Sequence, residues 1–433
     1  MLTNPVVISV LVMSILSLLK LHVLLALLVA AVTAGVTSGL GLTETMEVLV
    51  GGMSGNANTA LSYILLGSLA AAMEMTGAAK VFAIKIGGII RGNKYVLAGL
   101  IVLVSIASGT VVPVHIAFIP ILIPPLLDAM NKMKMDRRMA AISFGFGLKA
   151  PYITIPVAYG AIFHGLIRDS MANAGLDVPL SLIWQTNWMA GVTMFVGLIL
   201  GYMYYRKPRE YKMLHVEVEE MKPEDVKLER GHIFAIIAGL AALVVQLQTG
   251  SLPLGALLGL AIMIVSRSIK WGEVEDMLKG GIKMMGLIAF VMLVAAGYAS
   301  VINATGGVPS LVDDAMRLLG GSKLVGAIVM IVLGLLITMG IGTSFGTVPV
   351  VAAIYVPLAI QLGFSPAATI FLITTAAALG DAGSPASDTT LGPTSGLNAD
   401  GQHDHIWDTC VPQFVFYNIP LMIMGVVWAM ILG

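Results

Sequence analysis

Hydrophobic runs of about 20 residues, the length that crosses a bilayer as a helix, recur along this 433-residue chain from its first residues to its last. No water-soluble core can hide so many of them. Hydrophobic residues make up 58% of the chain and charged residues only 11%, against roughly 25% charged in soluble domains. Lipid is therefore the solvent. Backbone amides in lipid must be paired within the chain, which leaves helices and closed barrels, and runs of this length select helices. Spans are expected near 3–20, 21–39, 57–75, 95–112, 114–130, 138–162 and 183–205, then near 232–249, 251–267, 284–303, 323–341, 344–362, 366–380 and 411–432. The opening MLTNPVVISVLVMSILSLLK has no basic n-region and no small-residue cleavage pattern, so it reads as a first span. A charged connector, RKPREYKMLHVEVEEMKPEDVKLER, separates the two sets. The expected organisation is a membrane unit 1–205, a cytoplasmic connector 206–230 and a second membrane unit 231–433.

The two units read as copies. TGAAK at Thr76 resembles TGGVP at Thr305, a shift of 305 − 76 = 229. The same shift carries Glu44 onto Glu273, Gly51 and Gly52 onto Gly280 and Gly281, and Gly92 onto Gly321. It also carries Lys94 onto Lys323, Pro120 onto Pro349 and Pro156 onto Pro385. Seven spans separate equivalent helices, an odd number, so the copies face opposite ways across the membrane. Inverted repeats are a recurrent architecture of secondary transporters, whose sites lie near the midplane where the repeats meet. The expected fold is all-α and integral to the membrane, with two inverted-topology repeats, broken helices and re-entrant hairpins. Basic residues orient it. Lys132, Lys134, Arg137 and Arg138 fall on the same side as Arg206, Lys207, Arg209 and Lys212, which is the cytoplasm of a multi-pass plasma-membrane protein.

Irregular chain at membrane depth survives only inside protein or beside a wet cavity. The stretch LGDAGSPASDTTLGPTSGLNADG follows an uncharged run and carries Gly380, Gly383, Pro385, Gly392, Pro393 and Gly396, enough to open a helix and free its carbonyls. Asp381, Ser384, Ser387, Asp388, Thr389 and Thr390 add carboxylate and hydroxyl oxygens. Na⁺ takes such ligands, and a carboxylate can exchange the ion for a proton; an extramembrane loop after a helix is the competing reading. The shift of 229 sets Asp381 opposite Tyr152 and Asp388 opposite Tyr159, inside FGFGLKAPYITIPVAYG, which is also broken by Gly and Pro. Paired interrupted segments in two halves point to a transporter's binding site. Lys149, Tyr152 and Thr154 in that segment are candidate substrate contacts. Lys149 either pairs with an aspartate of the other half, holds a substrate carboxylate, or snorkels to the interface. A second pair of breaks, SGTVVPVH and GIGTSFGTVP, offers Thr110, His115, Thr343, Ser344 and Thr347, with tight turns as the alternative. Glu74 is a proton carrier if buried and a solvated surface group otherwise. His403, His405, Asp404 and Asp408 are too closely spaced for a structured zinc site, and no metal beyond Na⁺ is expected.

Several classes fall away. Cys410 is the lone cysteine, and zero formal charge leaves no basic face for nucleic acid. No nucleophile elbow precedes Ser384, and no extramembrane domain is large enough for a receptor, so an enzyme is not expected. No GxxxxGK[ST] loop occurs, so no cofactor is expected and an ion gradient, Na⁺ or H⁺, supplies the energy. The partners expected are the lipid bilayer and a small-molecule substrate; nothing fixes the oligomeric state, a homodimer included.

GDAGSPASDTT, Gly380 to Thr390, resembles the signature of the NhaC-type Na⁺/H⁺ antiporter family in the ion transporter superfamily. The match holds at Gly380, Asp381, Ser384, Pro385, Ser387, Asp388, Thr389 and Thr390. Ala382 and Gly383 stand where those antiporters usually carry His and Cys, so a titratable neighbour of the ion site is missing. With the continuation LGPTSGLNADGQHDHIWDTC, the chain looks more like a branch regarded as amino-acid transporters, histidine among the suggested substrates. The resemblance implies an inverted-repeat transporter with its site at the broken helices of both halves. Two functions follow: coupled transport of a small organic solute such as an amino acid, and Na⁺/H⁺ antiport with no organic cargo.

Overall fold

The computed structural model describes residues 3–19, 21–78, 81, 93–110, 119–212, 229–341, 343–385 and 387–433. The first unit contains Pro5–Leu18 (α1), Val23–Ser38 (α2), Leu42–Gly52 (α3), Ala57–Met75 (α4), Lys94–Thr110 (α5), Ile119–Lys132 (α6), Arg137–Thr154 (α7), Tyr159–Asn173 (α8) and Leu180–Tyr204 (α9). The second contains Arg230–Thr249 (α10), Leu252–Val265 (α11), Val274–Ala304 (α12), Gly307–Leu319 (α13), Lys323–Ile341 (α14), Ser344–Gln361 (α15), Pro366–Leu379 (α16), Asp388–Leu397 (α17) and a final helix His405–Leu432 (α18) with two π-helical stretches. Subtracting 229 places four helix ends on their counterparts to the residue: Leu252 on Val23, Lys323 on Lys94, Asp388 on Tyr159, and Ala304 on Met75. The order of elements thus repeats along the chain in the register read from its punctuation.

Contacts between the copies give their relative direction. Arg137, opening α7, bonds the Leu397 carbonyl and Asp400 beyond the end of α17. Tyr152, near the end of α7, meets Asp381, just past the end of α16. The broken pair α7–α8 therefore runs antiparallel to α16–α17, as inversion requires. Tyr152 and Asp381 are themselves 229 apart, as are Lys149 and its partner Ala378. Only residues on a two-fold axis can touch their own equivalents, so the axis passes here. A second symmetric approach joins α3 and α4 to α12. A Cβ on Gly281 would lie 2.4 Å from the Ser68 nitrogen, and one on Gly52 would lie 3.1 Å from the Gly297 Cα; 68 and 52 map onto 297 and 281.

Lipid and protein faces follow helical spacing. On α9, Trp184, Trp188, Val192, Phe195 and Ile199 are exposed, whereas Ile183, Asn187, Ala190 and Met194 are buried. Among the described residues, α9, α15 and α18 are each long and apolar enough to cross a membrane, and α7 with α8 form a fourth, bent by 50°. Hydroxyls within helices mostly bond the carbonyl one turn back, as Ser143, Thr186 and Thr338 do, which hides them from lipid. The structure departs from the expected spans in two places. The span 138–162 is two helices, because Pro156 cannot continue one and biases Ile155 to extended backbone (φ −111, ψ 120). Helices α3 and α13 were not expected, since their apolar residues share space with Glu44, Asp313, Asp314 and Arg317. The start of the span 114–130 lies outside the described residues.

Candidate functional site

Two backbone breaks meet on the axis. In the first unit, residues 155–158 separate α7 from α8; Ala158 adopts φ +48, and its N–H is accepted by the Gln246 side-chain carbonyl from α10 at 3.1 Å. In the second unit, residues 380–387 separate α16 from α17. Gly383 has φ +91, a region that favours glycine, and a Cβ there would stand 2.9 Å from the Phe414 nitrogen. Ser387 caps α17 by accepting the Thr389 N–H.

Asp381 sits in the second break, 7% exposed, inside a set of hydroxyls. Its Oδ2 accepts from the Tyr152 hydroxyl at 2.6 Å and the Ser344 hydroxyl at 3.0 Å. Its Oδ1 accepts from Ser387 and, at 3.3 Å, from Thr389, which also donates to the Asp381 carbonyl at 2.6 Å. Tyr152 and Ser344 lie 2.9 Å from each other. Three oxygens thus stand within 3.0 Å of one another, while the two hydroxyls hold only two hydrogens. A proton or a cation on the carboxylate completes such a triangle. The competing loop reading fails at Asp381, which is buried and bonded to Tyr152 of the other unit.

The remaining expected residues sort by position. Lys149 is fully buried and its ammonium donates to the Ala378 carbonyl, so it does not snorkel; it stands one turn from Tyr152 on the same face of α7. Thr390 is buried and bonds the Ser384 carbonyl at 2.5 Å, fixing the turn around Pro385. Asp388 is the first residue of α17, and its side chain lies outside the described residues, as does the whole of His115. Thr343 caps α15 with its carbonyl receiving the Thr347 hydroxyl at 2.9 Å. Thr154 spends its hydroxyl on the Ala150 carbonyl at 2.7 Å, and Thr110 on the Ile106 carbonyl at 2.7 Å. No described bond brings Thr110, Thr154 or Thr347 to Asp381. Glu74 is exposed.

At the start of α7, away from the breaks, lies an ion-pair network that the sequence reading missed. Arg137 has a fully buried side chain and grips Asp400 with two 2.6 Å bonds while stacking on Tyr211 at 4.2 Å. Arg209 reaches Asp408 at 2.8 Å, and Arg138 binds Asp136 at 2.6 Å. Burial pushes the Asp400 carboxyl up, and the Arg137 bonds and charge more than offset this, leaving it below its ordinary value. Burial also pushes the His403 imidazole down to about 4. His403 bonds Thr409, whereas His405 bonds Thr394 and the Pro385 carbonyl. The two imidazoles serve different partners, and His405 braces the second break through the Pro385 carbonyl. From sequence the basic residues signal only orientation, and Asp400, lying 263 residues from Arg137, gives no local cue.

Inverted broken spans crossing at a buried carboxylate define a membrane transporter. The Na⁺/H⁺ antiporter family model matches residues 143–426, and a second Na⁺–H⁺ antiporter family model matches residues 4–90. The chain belongs to the Na⁺/H⁺ antiporter family. It is 48% identical to the protein named "Putative amino acid transporter YuiF" of Bacillus subtilis, covering 99% of this chain and all of that one. An uncharacterized membrane protein of Vibrio parahaemolyticus is 46% identical over the same shares. Two solved structures have the same fold. MtrF of Neisseria gonorrhoeae, described among antimetabolite efflux pumps, superposes with TM-score 0.63 at 16% identity over 91% of this chain and 85% of its own. The YdaH transporter of Alcanivorax borkumensis, described as having an unusual topology, gives 0.62 at 17% over 90% and 89%.

Proposed function

We propose that the protein is a secondary active transporter that moves a small organic solute, an amino acid, coupled to Na⁺ or H⁺. The observation that carries this reading is the buried Asp381 carboxylate, ringed by hydroxyls from both units at the two-fold axis. Asp381, Ser387 and Thr389 bind the coupling ion, with Ser384 and Thr390 shaping the turn and Asp388 contributing from the start of α17. Lys149, Tyr152 and Ser344, with Thr343 beside them, contact the solute; Thr110, Thr154 and Thr347 drop from the assignment because their hydroxyls serve their own helices. The unit 1–205 and the unit 231–433, tied by 206–230, rock against each other so that Asp381 faces one side of the membrane at a time. The ion's charge neutralises the carboxylate during transit. The amino-acid cargo takes support from the name given to the Bacillus subtilis relative.

The family's description favours a second reading, Na⁺/H⁺ antiport with no organic cargo. Reconstituted vesicles separate the two. Under the first, an imposed Na⁺ or H⁺ gradient drives concentrative, saturable uptake of a labelled amino acid. If the Na⁺ gradient moves protons and no amino acid in a full panel accumulates, the second reading replaces the first.

A further inference from the structure

One buried polar group near Asp381 remains without a role. Tyr63 on α4 is 2% exposed, and its hydroxyl meets no hydrogen-bond partner among the described residues. Other deeply buried tyrosines are satisfied: Tyr298 pairs with Ser9, Tyr355 donates to the Met330 carbonyl and Tyr417 to the Ile142 carbonyl. A buried hydroxyl with no partner lowers stability relative to phenylalanine, so packing alone does not explain the oxygen. Symmetry does not explain it either, because the shift of 229 sets Met292 opposite Tyr63.

Its location supplies the explanation. The Tyr63 ring packs edge-on against Phe345, with centroids 5.6 Å apart and planes at 79°. Phe345 also packs on Tyr152 at 5.4 Å and directly follows Ser344, so it touches one of the two donors to Asp381 Oδ2 and neighbours the other. The Tyr63 ring thus joins the Phe345 and Tyr152 cluster that backs Asp381, from a helix that belongs to neither break.

We propose that the Tyr63 hydroxyl is an oxygen ligand of the cation bound at Asp381. This rests on the reading of Asp381 as the cation site. A hydroxyl oxygen is neutral and carries two lone pairs, which suits an alkali cation already facing one carboxylate. Tyr152, Ser344, Ser387 and Thr389 already donate their hydrogens to Asp381, which fixes the direction of their lone pairs. Tyr63 has no such bond among the described residues, so its hydroxyl is free to turn a lone pair to the ion. It adds coordination without adding charge, and it links α4 to the broken spans when the ion is bound.

The test uses the full-length protein purified in detergent, with thermal unfolding followed as NaCl replaces choline chloride at constant ionic strength. Wild type is expected to gain stability with Na⁺. Tyr63→Phe should need at least about fivefold more Na⁺ for half of that gain, while its unfolding temperature without Na⁺ stays at or above the wild-type value. Asp381→Asn should show no sodium response. The proposal is overturned if Tyr63→Phe titrates as wild type does, if Asp381→Asn still responds, or if wild type ignores Na⁺. Amino-acid uptake in vesicles made from the same preparations reports separately on the cargo. A sodium response weakened in Tyr63→Phe with no amino acid moved leaves this ligand in place and removes the organic solute.

Discussion

The two breaks share a backbone plan and differ in chemistry. Residues 155–158 contain no carboxylate; Pro156 ends α7, and the strained Ala158 is steadied by Gln246 from the opposite unit. Residues 380–387 carry Asp381 and a run of hydroxyls, and their positive φ falls on a glycine. Equivalent positions thus took opposite halves of one interaction: α7, just before the first break, supplies a donor, Tyr152, and the second break the acceptor. The inherited interruption makes the space, and divergence within it makes the site.

Substitutions in the two breaks should therefore fail in different ways. The largest effect belongs to Asp381→Asn, which keeps the shape and removes the charge; coupled uptake should fall by roughly 100-fold or more, with membrane insertion unchanged on a fluorescence-detected elution profile. Uptake retained in that variant would move the ion elsewhere. The clamp beyond the end of α17 comes next. Arg137→Ala leaves Asp400 buried and unpaired, costing about 3–5 kcal/mol in unfolding measurements. Because Asp400 titrates below its ordinary value in the folded protein, its contribution is present above the unfolded carboxylate pKa of about 3.9. It is lost as pH falls through the folded value, so acid should destabilise wild type and change Arg137→Ala less.

Gly383→Ala forces a Cβ into positive φ against Phe414 and should cost about 2 kcal/mol; a normal melting temperature would show that the second break relaxes freely. Tyr152→Phe removes one donor from Asp381 and should weaken apparent ion affinity about tenfold in uptake assays. The smallest effect has the opposite sign. Ala158→Gly relieves positive φ in the first break and should stabilise by up to about 1 kcal/mol. A loss there would mean that the strain is needed to place Gln246.

How far the sequence reached depends on where a residue sits relative to the axis. A one-dimensional shift finds pairs such as Tyr152 and Asp381, or Lys149 and position 378, because on the axis equivalence becomes contact. It cannot find Tyr63 or Arg137 with Asp400, which meet only through the crossing of helices far apart in the chain. Hydroxyl content alone did not say that Thr110, Thr154 and Thr347 donate to carbonyls of their own helices, a common first use of threonine in lipid. Pro and Gly marked the two breaks at the axis but overstated the second, since Gly392, Pro393 and Gly396 lie inside α17 instead of opening it; the direction of each side chain was not readable.

Tyr152 lying against Asp381 also bears on how such a chain could arise. Were the two units separate identical molecules, each would face its own copy at this spot, acid against acid or phenol against phenol. Two aspartates would repel, and two tyrosines would offer an ion no charge. Joining the copies into one gene frees the two positions to mutate independently, and a complementary couple on the symmetry axis becomes attainable only then.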